Sequence, residues 1–208
     1  SHYPSDTVDL FTKPALNSTP FLTIAHQKLD LKTTLPLLLS DISEKDSGVK
    51  VGPKAAELGR LKKLFPDRVS DAVVLPFGIF VAHVSQSKDG KSPSPLDVLR
   101  EAYEKSAALN QDQAESYLLT QLAIFRDAIL KQNFVPGFTK SIAHALKSLG
   151  RPGEFGVFVR SDTNVEDLKN FTGAGLNKTI AHRTQLKSIL KAIKEVWASP
   201  YSERSFRW

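Results

Sequence analysis

Apolar positions along this chain switch between helical spacing and short unbroken runs, and proline or glycine marks most of the switches. In "VGPKAAELGRLKKLF", Leu58, Leu61 and Phe65 fall on one face. That spacing predicts a helix, with Pro53 suited to its first position. "AVVLPFGIFVAHV" is rich in β-branched and aromatic residues between polar loops, which predicts a strand. Pro76 and Gly78 would mark a bend or an edge in it. Ser94, with Pro95 after it and Asp97 in the first turn, predicts a helix start. From Pro95 to Gly150 the pattern is mostly helical. Leu118, Leu122, Phe125 and Ile129 line one face. After a "VPG" break, Ile142, Ala145, Leu146 and Leu149 line another, and Gly150 with Pro152 ends that helix.

"EFGVFVR" and "AGLNKTIAH" predict two further strands, and "FLTIA" a short one near the N-terminus. Leu186, Ile189, Leu190, Ile193 and Trp197 predict a final amphipathic helix. Its opposite face carries Lys187, Lys191 and Lys194, the expected solvated side. Residues 1–20 are polar and proline-punctuated, which suggests a leader. The expected division is therefore residues 1–45 as leader, linker and strand, and 46–208 as the folded lobe.

Composition narrows the class. With 208 residues the chain is long enough for one domain or a compact pair. Hydrophobic residues at 41% and charged residues at 24% fit an ordinary globular chain. There is no cysteine, which excludes disulfides and thiolate metal sites. No apolar run is long enough to span a bilayer and no signal peptide is evident, so a cytoplasmic location without membrane contact is expected. The net charge of +6 comes from scattered lysines, with no arginine-rich arm and no basic stripe holding aromatics. No nucleic-acid partner is therefore expected, and a small anionic ligand fits better. The chain lacks methionine, so it is expected to be part of a longer protein.

The candidate chemistry lies in "GVFVRSDTNVEDLKNFTGAGLNKT". A strand ending on Arg160 would deliver a guanidinium to the sheet edge, where it can clamp phosphate with two hydrogen bonds. Thr163 and Glu166 fit a capping box, so a short helix is expected just after it. Gly173 and Gly175 around Ala174 would let backbone approach a ligand closely. The competing reading pairs Arg160 with Asp162 or Asp167 at a corner. Lys54 stands in the first turn of the expected helix at Pro53, where a cation opposes the helix dipole unless an anion is near. It is either part of a phosphate cradle or a solvated lysine. The P-loop spacing is absent.

"VGPKAAELGRL", then "VLPFGIFV", then "VFVRSDTNVEDLKNFTGAGL" resemble, in order and spacing, the nucleotide-binding domain of the pyruvate phosphate dikinase and phosphoenolpyruvate synthase family. The "RSD-x-N-x-EDL" form looks like that of the α-glucan water dikinases, and "VWASPYSERSF" resembles the family's closing helix and tail. The resemblance covers residues 50–208. It implies an α+β fold, the first lobe of an ATP-grasp domain, with a small mixed sheet packed against several helices. It also implies that Lys54 contacts ATP phosphates and that Arg160, followed by Ser161, lies at the β/γ-phosphates. Gly173, Ala174 and Gly175 would fall on the loop covering them. Glu166 and Asp167 would hold the corner together. Pro53 and Asp162 depart from the family pattern, where glycine and small residues are usual.

On this resemblance the full-length parent would be an ATP-dependent phosphotransferase. It would phosphorylate its own histidine on a swivelling domain and pass the phosphate to pyruvate or a related acceptor. Magnesium ligands and the phosphohistidine would come from a second ATP-grasp lobe and a further domain of the same chain. The five histidines here, His2, His26, His83, His144 and His182, lack threonine-rich surroundings, and four of them lie beside or inside apolar segments where packing is expected. The chain alone is expected not to turn over ATP. The alternative is a non-catalytic nucleotide-binding module that keeps the fold.

Overall fold

A computed structural model of the chain describes residues 29–150, 154–163 and 178–207. The "FLTIA" strand, Pro152, the Glu166 half of the expected capping box, Asp167, and Gly173, Ala174 and Gly175 lie outside the described residues. The fold is α+β. Strand β1 (Leu37–Leu38) leads through short 3-10 turns at Leu39–Asp41 and Glu44–Asp46 to helix α1 (Pro53–Leu64). Then come β2 (Val73–Val74), α2 (Phe77–Val84), α3 (Pro95–Ser106), α4 (Gln111–Lys131) and α5 (Phe138–Leu146). Strands β3 (Val157–Arg160) and β4 (Thr179–Arg183) precede α6 (Leu186–Ala198) and α7 (Glu203–Arg207). The strands pair antiparallel as two separate ladders, β1 with β2 and β3 with β4.

Local signals explain many of these elements. Ser94 and Asp97 form the reciprocal capping box of α3, with Pro95 at its first position. Asn110 caps α4 through the Gln113 amide. Leu118, Leu122, Phe125 and Ile129 of α4 are all buried, as their spacing predicts. They share a core with Val84, Leu99 and Ala198, rimmed by Phe80, Trp197 and Tyr201. A second cluster joins Ile79, Phe138, Ile142, Ile189 and Ile193, and Trp197 packs against both. Burial pushes the Tyr201 phenol up to about 12.

Four expectations are overturned. The run "AVVLPFGIFVAHV" is a strand only at Val73–Val74, and from Phe77 it is helix α2. An unbroken apolar run fits a helix buried on several sides as well as a strand. Pro76 breaks the strand and sets up the helix N-cap. Gly78 is required there because a β-carbon would lie 2.5 Å from the Thr33 carbonyl oxygen.

Helix α1 buries Ala55, Ala56 and Gly59, whereas Leu58 and Phe65 are exposed and Phe65 stands past its end. The small residues win because Ile42, Val51 and Leu37 come in close on that side. The segment before residue 46 thus supplies Leu39 and Ile42 to the buried interior.

The histidines divide as well. His83 is buried at 1% exposure, but His144 and His182 are exposed, and His26 lies outside the described residues.

The C-terminal end of α4 is held by side chains from other elements. His83 Nε2–H donates to the Ile129 carbonyl at 3.1 Å, which leaves Nδ1 as the unprotonated nitrogen. That Nδ1 is buried without a hydrogen-bond partner among the described residues. Lys194 donates to the carbonyls of Leu130 and Gln132 and lies 4.7 Å above the Phe134 ring. Lys194 is therefore not one of the solvated lysines of α6. Its amine answers the negative end of α4, and partial burial lowers its pKa. Among the described residues no helix is long and apolar enough to cross a membrane.

Candidate functional site

The β3–β4 hairpin packs one face on α6. Val159 and Ile180 lie on Ala192 and Val196. Alternation along the strand then turns Phe158 and Arg160 outward, Phe158 at 64% exposure. Arg160 is the last ladder residue of β3, opposite Thr179. Its guanidinium lies on the open face of the hairpin, at the end of a strand whose other face is fixed by packing.

Ser161 extends that pairing by one residue. Its N–H donates to the Lys178 carbonyl at 3.0 Å, and its hydroxyl accepts from the Lys178 N–H at 3.2 Å. The side chain is buried at 6% exposure. Ser161 therefore closes the hairpin end and holds Arg160 in place.

Asp162 then crosses to another part of the chain. Its carboxylate accepts from the Lys54 N–H at 3.0 Å and from the Ala55 N–H at 3.2 Å. These are first-turn donors of α1 that the helix itself cannot satisfy. The N-cap position of α1 is Gly52, which has no side chain to do so, and the first turn holds no acidic residue. Gly52 also makes the approach possible. A β-carbon there would lie 2.3 Å from Asp162 Oδ1 and 2.9 Å from the Asp162 carbonyl carbon.

The segment carrying Arg160 and the turn carrying Lys54 thus meet. The anion that the position of Lys54 demands is supplied by the chain itself, as Asp162 at the positive end of α1. Two of the N–H groups that could have cradled a phosphate are already engaged by Asp162.

Sequence reasoning noticed Asp162 as a departure from a pattern and as a candidate partner of Arg160, without connecting it to α1. The signal that could have found it is a helix opening on Gly-Pro-Lys with no capping side chain of its own. The cap then has to come from elsewhere in the chain. Lys54 and Ser161 carry further polar interactions, so both are built into the corner. Glu195 of α6 reaches the same edge, 3.4 Å from the Lys178 amine. Of the remaining sequence candidates, Gly173, Ala174 and Gly175 lie outside the described residues. Among the described residues no group of three or more His, Asp or Glu side chains could hold a metal ion, so those residues alone do not form a magnesium site.

Comparison with known proteins bears on this corner. The pattern of the pyruvate phosphate dikinase AMP/ATP-binding domain family matches residues 49–208, a stretch that includes Lys54, Arg160 and Ser161. The chain is also similar to the rifampicin phosphotransferase of Bacillus subtilis (strain 168), 27% identical over 173 residues. That alignment covers 83% of this chain and 18% of the relative, so the chain spans less than a fifth of that protein's length.

Proposed function

Because the chain belongs to the pyruvate phosphate dikinase AMP/ATP-binding domain family, we propose that it is the first ATP-grasp lobe of a dikinase-type phosphotransferase. In this reading Lys54 and Arg160 bind the ATP phosphates, and Ser161 and the turn at Gly173, Ala174 and Gly175 complete the enclosure. Support comes from the contact between Asp162 and the first turn of α1, which draws the Lys54 and Arg160 segments together.

Arg160 offers a planar fork that suits the non-bridging oxygens of a phosphoryl group. Lys54 adds a point charge. Both would stabilise charge that grows on the group during transfer. Magnesium supplies charge neutralisation between phosphates in such reactions. Its ligands would come from a second lobe of the same chain.

The intact parent would carry the phosphate on a histidine of a swivelling domain and hand it to pyruvate or a related acceptor. It would act in the cytoplasm. The relative's name gives it rifampicin as acceptor. Two acceptors so different in chemistry fit a choice made outside the ATP-binding lobe.

The test is incubation of the intact protein with magnesium and ATP labelled at the β-phosphate, the one a dikinase keeps when the γ-phosphate leaves, followed by acid- and base-stability analysis of any protein-bound label. Base-stable, acid-labile label supports phosphohistidine, and ATP binding without label sinks the dikinase reading. A second reading, a nucleotide-binding module without catalysis, is favoured by one observation. Asp162 occupies first-turn N–H groups of α1 that would otherwise be open to phosphate.

A further inference from the structure

We propose that Asp162 is a positioning residue of the ATP-phosphate site, acting through the two cations rather than by touching the nucleotide. The proposal rests on the functional reading above and adds how that site is held.

Three consecutive residues at the end of β3 have three different anchors. Arg160 is in the ladder opposite Thr179. Ser161 is bonded through both its N–H and its hydroxyl to Lys178. Asp162 is bonded to the backbone of Lys54 and Ala55, more than a hundred residues away in the chain. The first two anchors fix Arg160 to the hairpin. The third refers the hairpin to α1, and hence Arg160 to Lys54.

The contact is also shaped for its place. Gly52 leaves room for the carboxylate, and any side chain there would displace it. A carboxylate at this position has a further effect. It places a fixed negative charge at the end of α1 that carries Lys54, where the helix dipole favours it. It also keeps the helix end from acting as an alternative phosphate site, so that a polyphosphate is bound by side chains in one register.

The experiment uses the intact protein and compares ATP with adenosine, which has the base and sugar but no phosphates. Affinities are measured by calorimetry for wild type, Asp162→Ala, Asp162→Asn and Gly52→Ala. Asp162→Ala and Gly52→Ala are each expected to weaken ATP by about tenfold while leaving adenosine within about twofold. Asp162→Asn, which keeps an acceptor but not the charge, is expected to fall between them and wild type. Amide hydrogen exchange at Lys54 and Ala55 should quicken in Asp162→Ala. If ATP and adenosine weaken together, Asp162 is a general stability element and the proposal is overturned. If wild type binds ATP and Asp162→Ala binds it equally well, the proposal alone is overturned. If wild type binds no ATP, the functional reading falls and takes this proposal with it.

Discussion

Two helix ends in this molecule are capped from a distance, and they are capped in opposite ways. The C-terminal end of α4 receives a cation, Lys194, and a neutral imidazole, His83. The N-terminal end of α1 receives an anion, Asp162. Each charge has the sign that the helix dipole favours. Their surroundings differ. The α4 end lies under Phe134 and Trp197, with His83 5.3 Å and 5.2 Å from those rings. The α1 end lies beside an exposed strand end that presents Arg160. The same device, a long-range cap, thus serves the interior in one place and the edge of a binding corner in the other. Where the cap is walled in by aromatic rings, its loss should be felt as stability. Where it stands beside cations, its loss should be felt as affinity.

The contrast is sharpest at its extremes. Ile129→Ala, at a fully buried position of α4 whose carbonyl His83 holds, should cost about 2–5 kcal/mol in denaturant unfolding. A smaller loss would mean that the α4 end is less tightly packed than its burial implies. Arg160→Ala should do the reverse. Its exposed side chain contributes little to packing, so the melting temperature should hardly move. Phosphotransfer by the intact protein should drop by at least ~100-fold. Undiminished transfer would remove Arg160 from the site.

Lys194→Ala should destabilise by about 1–3 kcal/mol, since it strips a donor from the carbonyls of Leu130 and Gln132. Nucleotide affinity should stay level, and a selective fall in ATP binding would break the division between the two ends.

The pH response should also belong to the α4 end. Burial lowers the His83 pKa, and the nearby Lys194 charge adds to this against the opposing pull of the Ile129 hydrogen bond. The folded state therefore binds this proton less readily than the unfolded chain does. The stabilisation is complete above the ordinary histidine pKa of about 6.5 and is lost as pH falls from there toward the lowered folded value. Melting temperature measured from neutral pH into that acid range should fall, and His83→Gln should flatten the fall. An unchanged slope would mean that other groups carry it. Least of all should come from the exposed Arg60–Glu57 pair of α1. Glu57→Gln should leave the melting temperature and the denaturant midpoint essentially where they are.

Which of these features the sequence discloses depends on how far apart the partners are. The cap at Ser94 and the buried face of α4 are readable because every residue involved lies within a few turns. So is α6, apart from Lys194, whose acceptors are 62 and 64 residues away. The face of α1 misleads because burial there follows from what packs against it. Ile42 and Val51 come close enough to favour alanine and glycine over the leucines. The Phe77–Val84 run misleads because a helix enclosed on several sides loses the alternation that would identify it. At the site, Arg160 is legible as the end of an alternating strand. Lys54 is legible as a cation in an awkward place. The carboxylate that explains that placement is 108 residues away, and no local pattern could have paired them.

The indole of Trp197 lies where the two hydrophobic clusters meet and is in ring contact with Phe80, Phe134, Phe138 and His83. It is one of two tryptophans in the chain. An imidazolium quenches indole emission far more than a neutral imidazole does. Fluorescence from this residue should therefore dim when His83 takes up a proton, giving an optical titration of the interior that needs no added dye.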